Sequence, residues 1–359
     1  MQPDTALDPA MLGGRDEPRR ILDEDAAGTP RAGANRIWWR FFLTNEFGLI
    51  VLIVVFAIIF SLVMPGFTSR FSLYALGRTM AIDAIIGFSM MVVIVTGGLN
   101  LSVGAIGVSA VMFGGWLIEG VGAPLPLAAV GAFGLGGALG WVNGVTIVKS
   151  GVHSFIITLA TMSIFFGIMI FLTQAQAFRE LPPEVAALGK SRIAGYLSPL
   201  MLVTIAVALA LSFLYRFTGL GRRMLAAGAM PPAAEISGVR VGKAFIACHI
   251  LSGLLAALAA MMLTARTGAA IPSMAGHLGQ DWLLPAFLAP VLGGTLLTGG
   301  RVAVLGTFLG AVLVSLLMSG LLLLQVGEFW VRAFLGFLLL AAVLLDKLRR
   351  VVLARHKMV

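Results

Sequence analysis

Long apolar runs separated by short polar breaks fill the chain from residue 46 to residue 346. A membrane-crossing helix needs about 20 mostly apolar residues to span about 30 Å of hydrocarbon. The pattern therefore predicts an all-α polytopic membrane protein with about ten transmembrane helices and glycine-rich packing. The predicted spans are 46–66, 75–97, 101–119, 124–148, 153–175, 197–217, 244–265, 281–299, 302–324 and 329–346.

Composition excludes a soluble globular protein. The 359 residues are 59% hydrophobic and only 11% charged, whereas about a quarter of the residues in a soluble domain are charged. Membrane lipid is therefore the expected solvent. We predict a disordered cytoplasmic tail at 1–40, a transmembrane domain at 41–348 and a basic cytoplasmic tail at 349–359. The first of these has no apolar core near its start, so it is not expected to be a signal peptide.

The net charge is +9, and basic residues cluster in three regions: the N-terminal residues, the loop 218–243 and the residues after 346. Cytoplasmic loops of membrane proteins collect Lys and Arg. If these regions are cytoplasmic, both termini face the cytoplasm and no nucleic-acid partner is needed to explain the charge.

Candidate chemistry within the chain is sparse. There is no Gly-rich Walker loop, and the four histidines and the single Cys248 lie too far apart to form a spaced ligand set. Asp83 is the only acid well inside the early spans, close in sequence to Arg78. We expect no cofactor or metal in this chain and no enzymatic activity. An ion-driven carrier or a membrane-embedded enzyme would need more intramembrane charge or a clustered set of reactive groups.

Two glycine stripes predict close helix packing. Gly136, Gly140 and Gly144 recur at every fourth residue, and Gly306 and Gly310 repeat the spacing in a later span. Small residues at this spacing let two helices approach closely.

The segment TGGLNLSVGAIG (96–107) places polar residues among glycines within an apolar stretch. It is either a tight turn between two spans or a helix broken inside the membrane, and its hydroxyl and amide groups suit a neutral, hydroxyl-bearing solute. Asn143 either bonds across a helix interface or lines a pathway, and Pro285 and Pro290 either hinge a gate or fit a crowded bundle. The predicted pathway residues are Gly98, Asn100, Ser102, Asn143 and Thr158.

The basic loop 218–243 contains a proline pair, Pro231 and Pro232, that suits the start of a helix. Ala233, Ala234 and Glu235 would then occupy its first turn. A short amphipathic helix projecting from the membrane can dock in a groove of a soluble partner. The alternative is a solvated basic loop.

Five motifs in order resemble the ribose-type permeases of bacterial ABC importers over roughly residues 45–347. The resemblance implies a separate ATPase subunit that binds ATP and Mg, a periplasmic sugar-binding protein, and a second permease copy, identical or paralogous, in the inner membrane. It also implies that the family pattern A-x-G-x-x-x-x-A-A-x-x-S-G, starting at Ala226 or Ala227, couples to the ATPase. The motifs are GGLNLSVG (97–104), WVNGVTIVKSGVHSFIITLAT (141–161), GLGRRMLAAGAMPPAAEISGV (219–239), SGLLAALA (252–259) and VLGGTLLTGGRVAVLGTFLGAVL (291–313). The predicted coupling residues are Arg222, Arg223, Gly228, Ala233, Ala234, Glu235, Ser237 and Gly238.

Three departures from the family pattern bear on the solute. Acidic residues that are common in the family before Gly293 and Gly294 are replaced here by LLPAFLAP (283–290). Asn100 stands where the family usually has Asp, and Ala229 and Met230 stand where it usually has Asn after the glycine. The resemblance predicts a monosaccharide or related polyol as the solute. A permease of the branched-chain amino acid type is the alternative, and an ion-coupled carrier is a more distant one.

Overall fold

The computed structural model describes residues 45–356 apart from Ala194 and Tyr196, and this part of the chain contains thirteen α-helices and no β-strand. The predicted all-α fold is therefore confirmed, while the predicted tail at 1–40 lies outside the described residues. In chain order the α-helices are α1 Asn45–Val63, α2 Arg70–Ile94, α3 Val103–Glu119, α4 Leu125–Ser150, α5 Ser154–Thr173, α6 Pro183–Lys190, α7 Pro199–Phe217, α8 Gly219–Ala229, α9 Pro231–Ile236, α10 Val241–Thr267, α11 Leu283–Leu292, α12 Val304–Leu323 and α13 Glu328–His356. A 3₁₀ helix at His277–Trp282 precedes α11.

Seven of the described helices are long and apolar enough to cross a membrane, namely α1, α2, α4, α5, α7, α10 and α12. The remaining predicted spans correspond to shorter apolar helices. The span predicted at 101–119 is α3, with 17 residues, and that at 281–299 contains α11, with only 10. The span predicted at 329–346 is the first part of α13, whose helix continues to His356.

The bundle has two ends, which we call the α6 end and the α8 end after the short helices found there. Helix α2 starts at the α6 end, where the Tyr74 hydroxyl donates to the carbonyl of Gly189, 3.2 Å away. It finishes at the α8 end, where Val95 lies against Gly228. Helix α10 runs the opposite way, because it follows α9 and finishes with Ala265 against Gly189 of α6.

The chain reverses direction between α2 and α3, so residues 95–102 form a turn. The far end of α3 returns to the α6 end, where the Glu119 carboxylate accepts a 2.6 Å hydrogen bond from the Glu180 backbone. Of the two structures considered for this segment, the turn is the one observed. It is not a surface loop, since Asn100, Leu101 and Ser102 are buried. We call residues 95–102 the buried turn.

A second irregular segment, residues 268–282, enters the bundle from the other end. After α10 it pairs with Phe178 and then extends from the α6 end toward the middle of the bundle. There Gly279 packs on the backbone of Gly104, and Trp282 packs on Gly107. Helices α3 and α11 thus begin near each other inside the bundle and run to opposite ends. The α2–α4 half and the α10–α12 half are therefore arranged in opposite directions, as in transporters built from inverted repeats.

Both glycine stripes pack against other helices, as predicted. Gly140 lies against the His249 carbonyl of α10, and an added Cβ would overlap that oxygen. Gly310 lies against the Ala289 carbonyl of α11 in the same way. The bare backbone at these positions allows the helix axes to approach more closely than larger side chains would permit.

The helix predicted after the proline pair is confirmed as α9, with Pro at its first positions. Helix α8 and helix α6 were not predicted, because both lie in segments read as loops. Pro290 lies inside α11. Pro285 lies in the first turn of that helix, where no intrahelical bond is lost.

Candidate functional site

The buried turn is held by a network of amide and hydroxyl side chains. The Asn100 amide donates to the Ser252 hydroxyl of α10 over 2.9 Å, and its oxygen accepts a 2.7 Å bond from the Ser102 hydroxyl. The Asn143 amide of α4 donates to the same Ser102 hydroxyl, also over 2.7 Å. All four side chains are 0% exposed. The network therefore ties the turn to both helices of the central glycine-packed pair.

Helix α5 supplies the remaining partners of the turn. The Leu99 backbone donates to the Ser154 hydroxyl over 2.9 Å, and the Leu101 backbone donates to the Thr158 hydroxyl over 3.1 Å. Non-helical backbone inside a membrane must find partners within the protein, because lipid offers none. The hydroxyl side chains at the start of α5 meet that requirement.

The structure brings the predicted pathway residues together around this one turn. Gly98 belongs to the turn, Asn143 to α4 and Thr158 to α5, and all are buried. In the described conformation the polar side chains of this set bond to one another or to backbone. Their pathway role stays a prediction, and it requires a conformation in which the turn opens.

Two buried acceptors close to this region have no hydrogen-bond partner among the described residues, namely Asn143 Oδ1 and His249 Nε2. The other ring nitrogen of His249 lies 3.0 Å from the Phe245 carbonyl, so Nδ1 donates and Nε2 is left as an acceptor. Buried polar atoms are rarely left unpaired. His249 packs beside Gly144, and its sequence position, inside an apolar run, gave no sign of this setting.

A junction of bare backbone joins the end of α8 to the buried turn. Gly228 lies so close to Val95 that an added Cβ would overlap the Val95 carbonyl and come within 2.7 Å of the Gly300 nitrogen. Gly300 itself donates to the Val95 carbonyl over 2.8 Å. Gly299 and Gly300 adopt φ values of +86° and +78°, which glycine adopts without strain. We call Val95, Gly228, Gly299 and Gly300 the glycine junction.

The other predicted coupling residues belong to α8, to α9 and to the residues that follow α9. Arg222, Arg223, Ala233, Glu235, Ser237 and Gly238 are exposed, while Ala234 is buried. Gly238 ends α9 with φ of +80°. Ile236 is 90% exposed and Met230 is 62% exposed. These two apolar side chains project from the short helix, and the sequence argument did not single them out.

Asp83 is held inside the bundle by a partner from a distant helix. Its carboxylate accepts a 2.6 Å bond from the Ser315 hydroxyl of α12. Arg78, its neighbour in sequence, donates instead to the Gly189 carbonyl. Within the described part of the chain no group of three His, Cys, Asp or Glu side chains could hold a metal ion.

A helical membrane bundle with two opposite-running halves and non-helical backbone at membrane depth is typical of membrane transport proteins. The chain belongs to the family of branched-chain amino acid transport system permease components, whose profile matches residues 72–343. The predicted family resemblance is thereby confirmed. The chain is a permease subunit of the ABC importer class, and as a transport subunit it is not itself an enzyme.

Curated relatives match nearly the whole length. The ribose import permease of Bacillus subtilis is 36% identical over 303 residues, which cover 84% of this chain and 91% of that protein. The ribose import permease of Escherichia coli K12 is 32% identical over 326 residues, covering 89% and 98%. The D-allose transport permease of the same strain is 30% identical over 306 residues, covering 85% and 92%. No solved structure matches the chain.

Family membership also defines the kinds of partner protein and the membrane in which the chain works. An ABC importer permease works with an ATPase subunit and a periplasmic binding protein. Its place is the bacterial inner membrane.

Proposed function

We propose that this chain forms the membrane path for a monosaccharide or related polyol, delivered by a periplasmic binding protein and driven by ATP hydrolysis in a separate subunit. The observation that carries the proposal is the similarity to permeases named for ribose and D-allose, which covers 84% to 89% of this chain. The composition of the buried network agrees with it, since amide and hydroxyl groups hydrogen-bond a neutral polyol without adding charge.

Coupling to the ATPase is assigned to α8 and α9. The exposed Ile236 and Met230 offer apolar anchors for a partner groove, and Arg222, Arg223 and Glu235 supply a charged rim. Interfaces of this kind combine a few buried apolar anchors with a polar surround.

The glycine junction supplies the route from the ATPase to the path. Because Gly228 contacts Val95 by backbone alone, no flexible side chain separates α8 from the buried turn. A displacement of α8 should therefore move Val95 directly and strain the network around Asn100. We propose that this motion opens the turn and exposes Gly98, Asn100, Ser102, Asn143 and Thr158 to the solute, in a two-state, alternating-access cycle.

We further propose that the α8 end faces the cytoplasm, that both termini lie there, and that a second permease copy, identical or paralogous, completes the path. Basic residues at the α8 end support the orientation: Lys149 closes α4, Arg216 closes α7, and Arg222 and Arg223 lie on α8. The chain itself needs no cofactor in this scheme.

The test is uptake by the whole importer in proteoliposomes. The permease is reconstituted with its ATPase and binding protein, and radiolabelled D-ribose, D-allose and L-leucine are supplied in turn with ATP inside. Uptake of a sugar that requires both partners supports the proposal. Uptake of L-leucine alone would favour the branched-chain amino acid alternative, which the family description suggests. Accumulation by the isolated chain along an ion gradient would support a secondary carrier and overturn the proposal.

A further inference from the structure

We propose that Asp281 and Arg332 form a solute-contact site that faces the transport path and binds hydroxyl groups of a neutral sugar. The two side chains form an ion pair, with Arg332 Nη1 3.1 Å from Asp281 Oδ1. This inference rests on the proposed sugar-import function and adds residues outside the set predicted for the pathway.

The position of Asp281 along the bundle is set by backbone contacts. Gly279 lies against Gly104 in the first turn of α3, and Trp282 lies against Gly107. At 1.5 Å per residue, Gly104 is about 20 Å along α3 from its end at Glu119. Asp281 lies between these two contacts in the chain and is therefore well below the α6 end, within a hydrocarbon layer about 30 Å thick.

At this depth the ion pair is nevertheless exposed. The Arg332 side chain is 52% exposed and the Asp281 side chain is 43% exposed. Charged groups within the membrane are costly in lipid and nearly always face protein or a water-filled cavity. The surface that carries the pair is therefore expected to border water rather than acyl chains.

Neighbouring residues on the same re-entrant segment extend the polar surface. His277 and Gln280 are exposed as well, and the His277 ring lies 6.0 Å from the Phe166 ring of α5. The polar strip thus lies between α5 on one side and Arg332 of α13 on the other. Lipid-facing helix surfaces do not carry such a run of hydrogen-bonding groups.

The chemistry of the pair suits a polyol. A carboxylate accepts hydrogen bonds from two adjacent hydroxyl groups, and a guanidinium donates to hydroxyl oxygens. Each group can pair with the other when the solute is absent, so neither is left as an uncompensated charge. Asp83 shows the contrasting arrangement, because its carboxylate bonds Ser315 within the bundle.

Water access is tested first by thiol labelling, which needs no knowledge of the solute. The chain has a single cysteine, Cys248, which is fully buried, so the wild-type chain serves as the blank. Asp281→Cys in the assembled importer should react with a charged, membrane-impermeant methanethiosulfonate reagent. Leu209→Cys, an exposed apolar position in the middle of α7, is the lipid-facing control and should react at least tenfold more slowly. Equal, background-level labelling at both positions would overturn the proposal and leave the sugar-import function standing.

Solute contact is tested by transport of D-ribose, or of whichever sugar the wild-type importer carries. Asp281→Asn and Arg332→Gln should each raise the KM for uptake at least fivefold. Glu184→Gln, an exposed carboxylate on α6, is the control and should change nothing. The double variant Asp281→Arg with Arg332→Asp restores the ion pair but reverses its charges. Recovery of wild-type KM in that variant would assign the pair a structural role and overturn the proposal, as would single variants with normal uptake.

Discussion

The buried turn and the Asp281–Arg332 surface place polar side chains at membrane depth in two different ways. Around Asn100 the side chains of Ser102, Asn143 and Ser252 are fully buried, and their polar groups tie the turn to α4 and α10. Around Asp281 the charges are about half exposed. The first arrangement holds backbone segments in place, whereas the second leaves its charged groups accessible. Polar residues in a membrane protein therefore have to be separated by exposure before any is assigned to a pathway.

The largest effect is expected at the centre of the buried network. Asn100→Ala removes three hydrogen bonds, those to Ser252 Oγ and from Ser102 N and Ser102 Oγ, and leaves buried partners unpaired. The expected loss is about 3 kcal/mol or more, since each unsatisfied buried group costs about 1–3 kcal/mol. Thermal unfolding of the purified protein in detergent measures it.

Asn100→Asp is the matched control for that variant. Aspartate keeps both acceptor bonds from Ser102, and the Ser252 hydroxyl can rotate to donate to it. We expect this variant to retain most of the stability that Asn100→Ala loses. Equal unfolding temperatures for alanine and wild type would show that the network does not hold the turn.

The next effect is expected at the glycine junction. Gly228→Ala places a Cβ in the Val95 carbonyl, so α8 and the buried turn must separate. Transport per ATP hydrolysed should fall at least tenfold, while over-packing costs about 1–3 kcal/mol of stability. Gly219→Ala, in the same helix and with open space around it, is the control. Normal coupling in the Gly228→Ala importer would show that the glycine junction does not transmit motion from α8 to the buried turn.

A smaller effect is expected at the helix pair that supports the network. Gly140→Ala would overlap the His249 carbonyl and push α4 from α10, at a cost of about 1–3 kcal/mol. Gly134→Ala on the same helix meets nothing within 4 Å and should be neutral. The difference between the two unfolding temperatures separates the effect of the distance between the two helices from the effect of helix propensity. If both variants unfold alike, close packing is not what positions Asn143.

The smallest effect is expected at the exposed ion pair. Asp281→Asn should change stability by less than about 1 kcal/mol, because exposed pairs contribute little. The contrast with Asn100→Ala, measured by the same detergent unfolding experiment, is the direct test of the comparison. A loss of stability as large as that of Asn100→Ala would show that Asp281 holds the fold together, as Asn100 does.

Local sequence patterns predicted much of the fold correctly. The apolar runs located the helices, the four-residue glycine spacing at Gly136, Gly140 and Gly144 identified the α4 face that meets α10, and the proline pair located the start of α9. Each of these features depends on residues within a few positions of one another. The predicted span 101–119 matched α3, which begins at Val103. The predicted span 281–299 contains only the 10 residues of α11 as helix, because an apolar run shows how much chain is buried but not where a helix ends and irregular backbone begins.

The candidate site was predicted only in part. Asn100, Ser102, Asn143 and Thr158 stood out as polar residues in apolar stretches, and the structure brings them together. Their partner Ser252 did not stand out, because a serine in a small-residue helix is unremarkable by itself. Asp281 and Ile236 were missed for the same reason, since the exposure of a side chain depends on what packs beside it.

The sequence by itself determined that this chain is a helical membrane protein and a permease. Hydrophobicity, glycine spacing and motif order all depend only on the linear order of the residues. Only the tertiary structure decided that 95–102 is a turn, that Gly228 contacts Val95, and which polar groups are enclosed and which exposed. These are contacts between residues far apart in sequence, such as Asn100 and Ser252. Their existence depends on how the helices pack around one another, which no local pattern records.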